Sequence, residues 1–494
     1  MLSFLLDTNI VIALDPIPDN RVEHGSDSAA EFLRLAFEFG AKIYLHPVSR
    51  RDHERDTCEA RLQARMRMLG KYVCLPAPPP ISDVLNNSFG SPPVDSNDWV
   101  DLSLLEALRS EAVHYLVTED HGIHRKARII GLGERIANAA EAADILRRLL
   151  DISHQPLPPL VCGVAHELNS DDGIFDSLRQ DYPGFDKWLV EKCKRQQRKV
   201  WYLNIGDSHA GVAIVKPEKE GESGYKGKTL KLCSFKVGEP GAGRSIGELM
   251  LQAVLEHATE NSYDQVYLRA FPRHEQLIGF MESFGFERDA QRVTEGGEFN
   301  LKKSLRPPAE VEVDLTPLEY HIRYGPHELM LTGCSKYIVP VQPRFSDRLF
   351  PETAKQRDIV HGIEACGNAI RKAYLCNAQV RSIREGDCLL FYCSKPDQVV
   401  QIVAVVEQTF ISSDADAVAA FAGKRTVYPY KEIQNLCRKG DVLVILFRQA
   451  RRLSAPVSLD EMIQANVLSG APQSIQKLGE GCEQWLKNLL ARSP

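Results

Sequence analysis

Apolar and polar positions divide the chain into three stretches with different rhythms. Over residues 1–152, LSFLL, KIYLHPV and HYLVT read as buried strands, while AAEFLRLAFEF, DLSLLEALRS and EAADILRRLL carry the spacing of amphipathic helices. Ser28 and Glu31 stand at capping-box spacing at the head of the first helix. Strands alternating with helices predict βαβ units and a parallel sheet. Over residues 155–305, a helical FDKWLVEKCKRQQRK precedes a hairpin (VWYLNIG, HAGVAIVK) and the strand TLKLCSFKV. A glycine-rich turn then opens a long helix (GEPGAGRSIGELMLQAVLEHA), followed by the strand QVYLRAF and the helix HEQLIGFMESFGFER. Over residues 318–494, short strands dominate (IREGDCLLFYCS, QVVQIVAVVEQTF, DVLVILFR), with HGIEACGNAIRKAYL read as a helix. They predict a small β-barrel with a few helices.

Prolines mark the joints, because proline removes a donor and pushes its predecessor out of the helical region. ISHQPLPPLV and SLRPPAEVEVDLTP separate domains of residues 1–152, 155–305 and 318–494. The chain of 494 residues is long for one core. A further cluster, Pro76 to Pro80 with Pro92 and Pro93, reads as a long loop over 75–96 inside the first domain. Loops of that length are usually functional or disordered.

Composition narrows the function classes. With 60 basic and 66 acidic residues the net charge is −6, so nucleic-acid binding must come from local patches. The opening MLSFLLDTNIVIALDP carries Asp7 and Asn9 where a signal peptide needs an uninterrupted apolar stretch. No run reaches the 18 or so apolar residues of a membrane span. The 12 cysteines never form C-x-x-C, which disfavours a zinc cluster and suits reduced thiols in a cytoplasmic protein.

Ligands of parallel sheets sit beyond the carboxyl ends of the strands. Asp7 follows LSFLL and Asp120 follows HYLVTE, so both project at that edge. Asp98 and Asp101 share a helix face. Carboxylates gathered together repel unless a cation offsets them, and Mg²⁺ or Mn²⁺ would serve and activate water. Taken singly, Asp7 and Asp120 are equally well ordinary turn residues. In order and spacing, LLDTN, the acidic position after HPVSRRD, DLSLLEAL and VTEDHGIHRKARIIGL resemble the PIN-domain ribonuclease family. The resemblance implies Asp7, Asp52, Asp101 and Asp120 as catalytic acids, with Asp7, Asp98, Asp101 and Asp120 as metal ligands. Thr8, Asn9 and Thr118 match its polar positions. Asp52 has the expected offset from Pro47 and is preferred, while Glu54 has the family's usual chemistry. The arginines around them suit phosphate contact or a solvated helix face.

The middle stretch resembles the GNAT acyltransferase fold, which implies a mixed sheet and a glycine turn that holds the pyrophosphate of acetyl-CoA. Gly243, Arg244, Ile246 and Gly247 fit the family's loop; Ala242 and Ser245 depart from it. The cofactor set implied is Val237, Gly241, Gly243, Arg244, Ser245, Ile246 and Gly247. Met281 occupies the common place of the general-acid tyrosine, with Glu239, His274 or a water as substitutes. A GNAT-shaped scaffold without chemistry remains open. The last stretch looks like ASCH or EVE domains of the PUA-like superfamily, which implies RNA binding. Lys424, Arg425, Tyr428 and Tyr430 suit phosphate contact and base stacking, or a half-buried strand. His361 and Asn368 face a pocket or cap a helix.

Together these readings predict a cytoplasmic, metal-dependent endoribonuclease with an acetyl-CoA-binding unit and an RNA-reading unit. Its partners would be RNA, such as tRNA, and in a toxin-like system an antitoxin or a second copy. The competing readings are an N-acetyltransferase acting on an RNA-linked amine such as aminoacyl-tRNA, with the first domain holding RNA, and a non-catalytic RNA-binding adaptor.

Overall fold

The computed structural model describes residues 1–14, 25–49, 69–152, 158–238, 241, 243–308, 314–351, 367, 369–479 and 481–491. They divide into two compact units. Unit 1 comprises Met1–Ser153 and Phe410–Val444; unit 2 comprises His154–Thr409 and Ile445–Pro494. The second and third stretches share one unit, and residues 410–444 leave the last stretch for the first.

Unit 1 is built on a five-stranded sheet: β1 (Ser3–Leu6), β2 (Lys42–Leu45), β3 (Val73–Cys74), β4 (Tyr115–Val117) and β5 (Ile136–Ala137). Their order is β3-β2-β1-β4-β5, and every pairing is parallel, as expected. All four residues of β1 are buried, the pattern of a central strand covered on both faces. The covering helices are α1 (Thr8–Leu14), α2 (Ser26–Phe39), α3 (Asp83–Phe89), α4 (Asn97–Arg109), α5 (His121–Ile129) and α6 (Ala139–Leu149). Two readings are corrected. Helix α2 starts behind Gly25, whose left-handed backbone precedes it, and no side chain caps it, so Ser28 and Glu31 form no capping box. The capping box lies instead at α6, between Asn138 and Glu141. The 75–96 stretch is not all loop, because α3 forms within it and buries Leu85.

Unit 2 contains two sheets. The first has seven strands: β6 (Val161–Val164), β7 (Lys199–Ile205), β8 (Ser208–Pro217), β9 (Thr229–Val237), β10 (Gln265–Ala270), β11 (Glu287–Val293) and β12 (Phe299–Ser304). It is mixed, because β9 and β10 pair in parallel while their other partners are antiparallel. Helices α7 (Ile246–Glu260) and α8 (Glu275–Ser283) supply Met250, Val254, Ile278 and Met281 to one core, while Phe175, Leu189 and Val212 belong to a second. The helix expected over 185–199 is α-helical over Phe185–Trp188 and continues as a π-helix over Leu189–Lys194, where it ends.

The second sheet has six strands: β13 (Lys336–Val341), β14 (Arg371–Cys376), β15 (Cys388–Cys393), β16 (Val399–Ser412), β17 (Val442–Ser458) and β18 (Gln476–Lys477). Their order is β14-β17-β16-β15-β13-β18. The segment expected as helix is strand from Arg371: β14 runs Arg371–Cys376, with Lys372 to Leu375 all buried. His361 and Asn368 lie outside the described residues. Among the described residues, no helix is long and apolar enough to cross a membrane.

Candidate functional site

The carboxyl edge of the unit 1 sheet gathers the expected acids. Asp7 directly follows β1 and is buried, 6% exposed. Its carboxylate accepts from Thr8 N (2.7 Å), Asn9 Nδ2 (2.7 Å) and Thr118 Oγ1 (2.6 Å). Thr118 Oγ1 also receives Asp120 N at 2.9 Å, so the polar residues singled out in the sequence form one lattice. Burial raises the Asp7 carboxyl above the usual range despite these donors, and Asp120 adds repulsion. Asp120 caps α5, accepting from Gly122 N (2.6 Å) and Ile123 N (3.1 Å). Burial pushes Asp101 up to about 6, against Lys126 and with help from Asp120 and Asp7.

Sequence reasoning missed Lys126. Its ammonium donates to Asp98 Oδ1 (2.7 Å) and Asp101 Oδ2 (2.8 Å), supplying the positive charge assigned to a metal. Among the described residues, no group of three His, Cys, Asp or Glu side chains is arranged to hold a metal ion. Asp52 and Glu54 lie outside the described residues. The signal that could have found Lys126 is its helical spacing, which puts a lysine on the face of α5 turned to α4.

The expected RNA contacts are corrected. Lys424 Nζ lies 2.9 Å from Glu141 Oε2, and Arg425 Nε lies 2.6 Å from Glu134 Oε2, with Arg425 itself 4% exposed. Tyr428 is buried, and Tyr430 donates to Asp416 Oδ1 at 2.7 Å while its ring meets Phe39 edge-on. None lies on a strand. Lys424 and Arg425 belong to a 3₁₀ turn (Gly423–Arg425), Tyr430 opens the helix Tyr430–Cys437, and Tyr428 stands between the two. Lys424, Arg425 and Tyr430 hold residues 410–444 in unit 1; Arg425 and Tyr428 are buried, Lys424 and Tyr430 half-buried. Tyr115 Oη completes that joint by donating to Ala419 O and Ala420 O at 3.0 and 3.1 Å.

In unit 2 the notable geometry is a parting of strands. β10 pairs with β9 only over Gln265–Tyr267, although β9 runs on to Val237 and β10 to Ala270. The cause lies in β9, where the register with β8 slips between Ile214 and Val215, making Cys233 an extra residue. Such a bulge bends its strand. Beyond Tyr267, β10 follows β12 and β9 follows β8, and a wedge opens at their carboxyl ends.

Val237 closes one side of that wedge, and the glycine turn follows it. A side chain at Gly241 would put Cβ 2.6 Å from Ala210 O and 2.7 Å from Ile246 Cδ1. Gly243 and Ser245 are left-handed, at φ 74° and 54°. Ser245 gives α7 no side-chain cap, and the N–H groups of Ser245 and Gly247 meet no backbone acceptor among the described residues. Unsatisfied N–H groups at a helix start attract anions. Arg244 N is held by Gly241 O at 3.3 Å, and Ile246 is buried. On the other side, His274 begins α8 with Nε2 2.9 Å from Asp181 Oδ2. Met281 is wholly buried in the core. Glu239 and Ala242 lie outside the described residues.

No curated protein matches the chain. Among solved structures, part of the chain is similar to ASCH from Zymomonas mobilis, at 14% identity and TM-score 0.25, covering 31% of this chain and 94% of that one. An N-acetyltransferase from Staphylococcus aureus Mu50 is similar at 15% identity and TM-score 0.25, covering 30% and 100%. The PaiA N-acetyltransferase from Thermoplasma acidophilum in complex with coenzyme A is similar at 13% identity and TM-score 0.23, covering 30% and 99%. Residues 165–286, which hold the parted strands and the glycine turn, match the acetyltransferase (GNAT) family.

Proposed function

We propose that the chain is an acetyl-CoA-dependent N-acetyltransferase whose acceptor is an amine carried on RNA, such as aminoacyl-tRNA, with unit 1 holding the RNA. The observation that carries it is the wedge between β9 and β10 ending on the glycine turn, inside the segment that matches the GNAT family. The residues fit the cofactor: the N–H groups of Ser245 and Gly247, which meet no backbone acceptor among the described residues, suit a pyrophosphate, and Gly241 leaves room that a Cβ would fill. When bound, acetyl-CoA supplies an acetyl thioester open to attack by an unprotonated amine. The main chain of Gly241 and of Gly243 to Gly247 orients the cofactor, and Arg244 adds charge. His274, held by Asp181, moves the proton in place of the family's general-acid tyrosine, because Met281 is wholly buried in the core.

Acetyl-CoA is expected to raise the melting temperature of the whole protein by mass action. Gly243→Asp, which places a carboxylate in the anion site, is expected to remove most of that rise. Radiolabelled acetyl should then appear on aminoacyl-tRNA in wild type and not in Gly243→Asp. No thermal shift at millimolar acetyl-CoA would leave only a scaffold.

A second reading, the metal-dependent endoribonuclease, is favoured by the meeting of Asp7, Asp101 and Asp120 at one sheet edge. The Lys126 ion pairs weigh against it. Cleavage of labelled RNA that requires Mn²⁺ and is abolished by Asp7→Asn would establish it.

A further inference from the structure

Strand pairing sets cations side by side on one face of the seven-stranded sheet of unit 2. Lys231 of β9 is the register partner of Tyr267 of β10, and Tyr267 is the register partner of Lys302 of β12. Paired residues share a face, and so does Arg269, two positions beyond Tyr267. The alternate residues Leu230, Leu268 and Leu301 enter the core to which α7 contributes Met250 and Val254. Lys231, Lys302 and Arg269 therefore stand on the face turned away from α7.

The acids of this face are already engaged. Glu218 accepts from Tyr267 Oη at 2.9 Å and pairs with Lys216 Nζ at 3.2 Å. Asp289 accepts from Tyr225 Oη at 2.9 Å and pairs with Arg292 Nε at 3.2 Å. Glu287, the register partner of Lys302, accepts from Arg323 Nε at 2.8 Å. Among the described residues, the charged groups of Lys231, Arg269 and Lys302 donate no hydrogen bond and form no ion pair. Lys231 Nζ lies instead 5.8 Å from the centroid of the Tyr267 ring, and Lys302 Nζ 5.4 Å from that of Tyr225. Burial and the Arg269 guanidinium hold the Lys231 ammonium below its usual range, as expected of like charges brought together without a counter-ion. A ligand can reach the group, because Arg269 is exposed and Lys231 and Lys302 are half-buried.

Position gives these cations a task. Lys231 and Tyr267 form the last rung before β9 and β10 part, and Arg269 stands on β10 beside the opening. The N–H groups that suit the cofactor's pyrophosphate lie at the start of α7, the helix that covers the opposite face. An anion held at Lys231 and Arg269 therefore belongs to the molecule that meets the cofactor at the wedge.

We infer that Lys231 and Arg269, with Lys302 beside them, form a phosphate subsite for the acceptor and hold the phosphate nearest the amine that is acetylated. The guanidinium fork can hold two phosphate oxygens at once, and the ammonium adds a point charge to a third. Several cations suit a phosphate, with its spread of charged oxygens, better than a single carboxylate. For an amine carried on a terminal ribose, that phosphate is the 5′-phosphate of the same nucleotide. The inference rests on the acetyltransferase reading for the identity of the acceptor and deepens it by stating which part of the RNA end is recognised.

The test is calorimetric titration of the full chain with three probes. They are adenosine carrying phenylalanine through a stable 3′-amide, the same compound with a 5′-phosphate, and the trinucleotide CCA ending in that aminoacyl adenosine. The 5′-phosphate is expected to tighten binding by roughly 10- to 100-fold, the range for charge-assisted hydrogen bonds. Lys231→Met and Arg269→Gln should each remove most of that gain and leave the unphosphorylated compound binding as in wild type. Arg269→Lys should keep part of it. Arg269→Gln, a change at an exposed position, serves where Lys231→Met lowers the melting temperature. Added salt should shrink the gain. A trinucleotide that binds more tightly than the monophosphate, and loses that advantage in Arg269→Gln, would identify an RNA end as the source of the phosphate. Equal affinity would identify a small phosphorylated amine. The inference is overturned if the phosphate adds nothing, if no probe binds at millimolar concentration, or if both folded variants keep the full gain. The acetyl-CoA thermal shift of the same variants should match that of wild type; its loss in them would assign the cations to the cofactor and also overturn the subsite. Its absence in wild type would instead remove the acetyltransferase reading, while the phosphate gain is still read independently by calorimetry.

Discussion

Lys126 Nζ lies 2.8 Å from Asp101 Oδ2, where the ammonium offsets a carboxyl that burial alone would carry still higher. The same ammonium holds Asp98, whose carboxyl its hydrogen bond draws below the usual range. An edge that reads in sequence as a metal site therefore carries an internal cation.

Replacing that cation is the first prediction. In Lys126→Met, Asp101 should titrate above its value of about 6, because the lowering hydrogen bond is gone while burial remains. Carboxyl NMR of the two proteins checks it. Mn²⁺ should also bind the variant more tightly than wild type by calorimetry, since no ammonium has to be displaced. An unmoved Asp101 titration would mean that the pair is not formed in solution.

Asp101 also makes stability depend on pH. Its folded pKa is raised from 3.8 to about 6, so its contribution is fully present below about pH 4 and is lost as pH rises through 6. Relative to Asp101→Asn, wild type should lose roughly 3 kcal/mol between pH 4 and 7, because each pH unit separating the folded and unfolded pKa is worth about 1.4 kcal/mol. Urea unfolding of both proteins across that interval measures it. A difference that stays flat with pH would contradict the burial of this carboxyl.

The pair of Arg425 and Glu134 gives the third. Breaking a buried ion pair by removing one partner costs about 3–5 kcal/mol. Arg425→Ala should therefore lower the stability of unit 1 in chemical denaturation, and the double variant with Glu134→Ala should recover part of the loss. RNA affinity per folded molecule should not change. A stable Arg425→Ala protein with weakened RNA binding would restore the arginine to an RNA-contact role.

Gly285 supplies the fourth. It has φ 81°, and a Cβ there would lie 1.8 Å from Ile322 O and 3.0 Å from Lys303 Nζ. Lys303 donates to Ile322 O at 2.8 Å, so Gly285→Ala must displace backbone and a buried lysine together. The expected result is a fall in melting temperature well beyond the roughly 1 kcal/mol of an average substitution.

Met281→Tyr is the last. Met281 is wholly buried among Ile278, Phe284 and Met250, so a phenol there overfills the core and costs about 1–3 kcal/mol. Acetyl transfer should not rise in the variant, because position 281 is wholly buried in the core. A faster Met281→Tyr protein would show that the position opens onto the cofactor after all.

Local pattern was sufficient for much of this molecule. Short apolar runs placed β1, β2 and β4, and the residues that end them, Asp7 and Asp120, follow automatically to the carboxyl edge of a parallel sheet. The glycine turn before α7 was legible for the same reason, since positive φ at Gly243 and a Cβ-free Gly241 are demands of a few neighbouring atoms. Met281 was legible as a departure, though its burial was not.

What only the tertiary structure decided are contacts whose partners lie far apart along the chain. KRTVYPY has the composition of a nucleic-acid contact, yet Lys424 and Arg425 meet acids 283 and 291 residues earlier, and no spacing rule reaches that far. The bulge at Cys233 shows only through its pairing with β8, and the burial of His46 only once neighbouring elements have packed over it. The chain itself determined which residues form strands and helices and which carry charge, because those depend on near neighbours. Whether a charge faces solvent, another charge or a cavity depends on packing, and packing joins residues that sequence keeps apart.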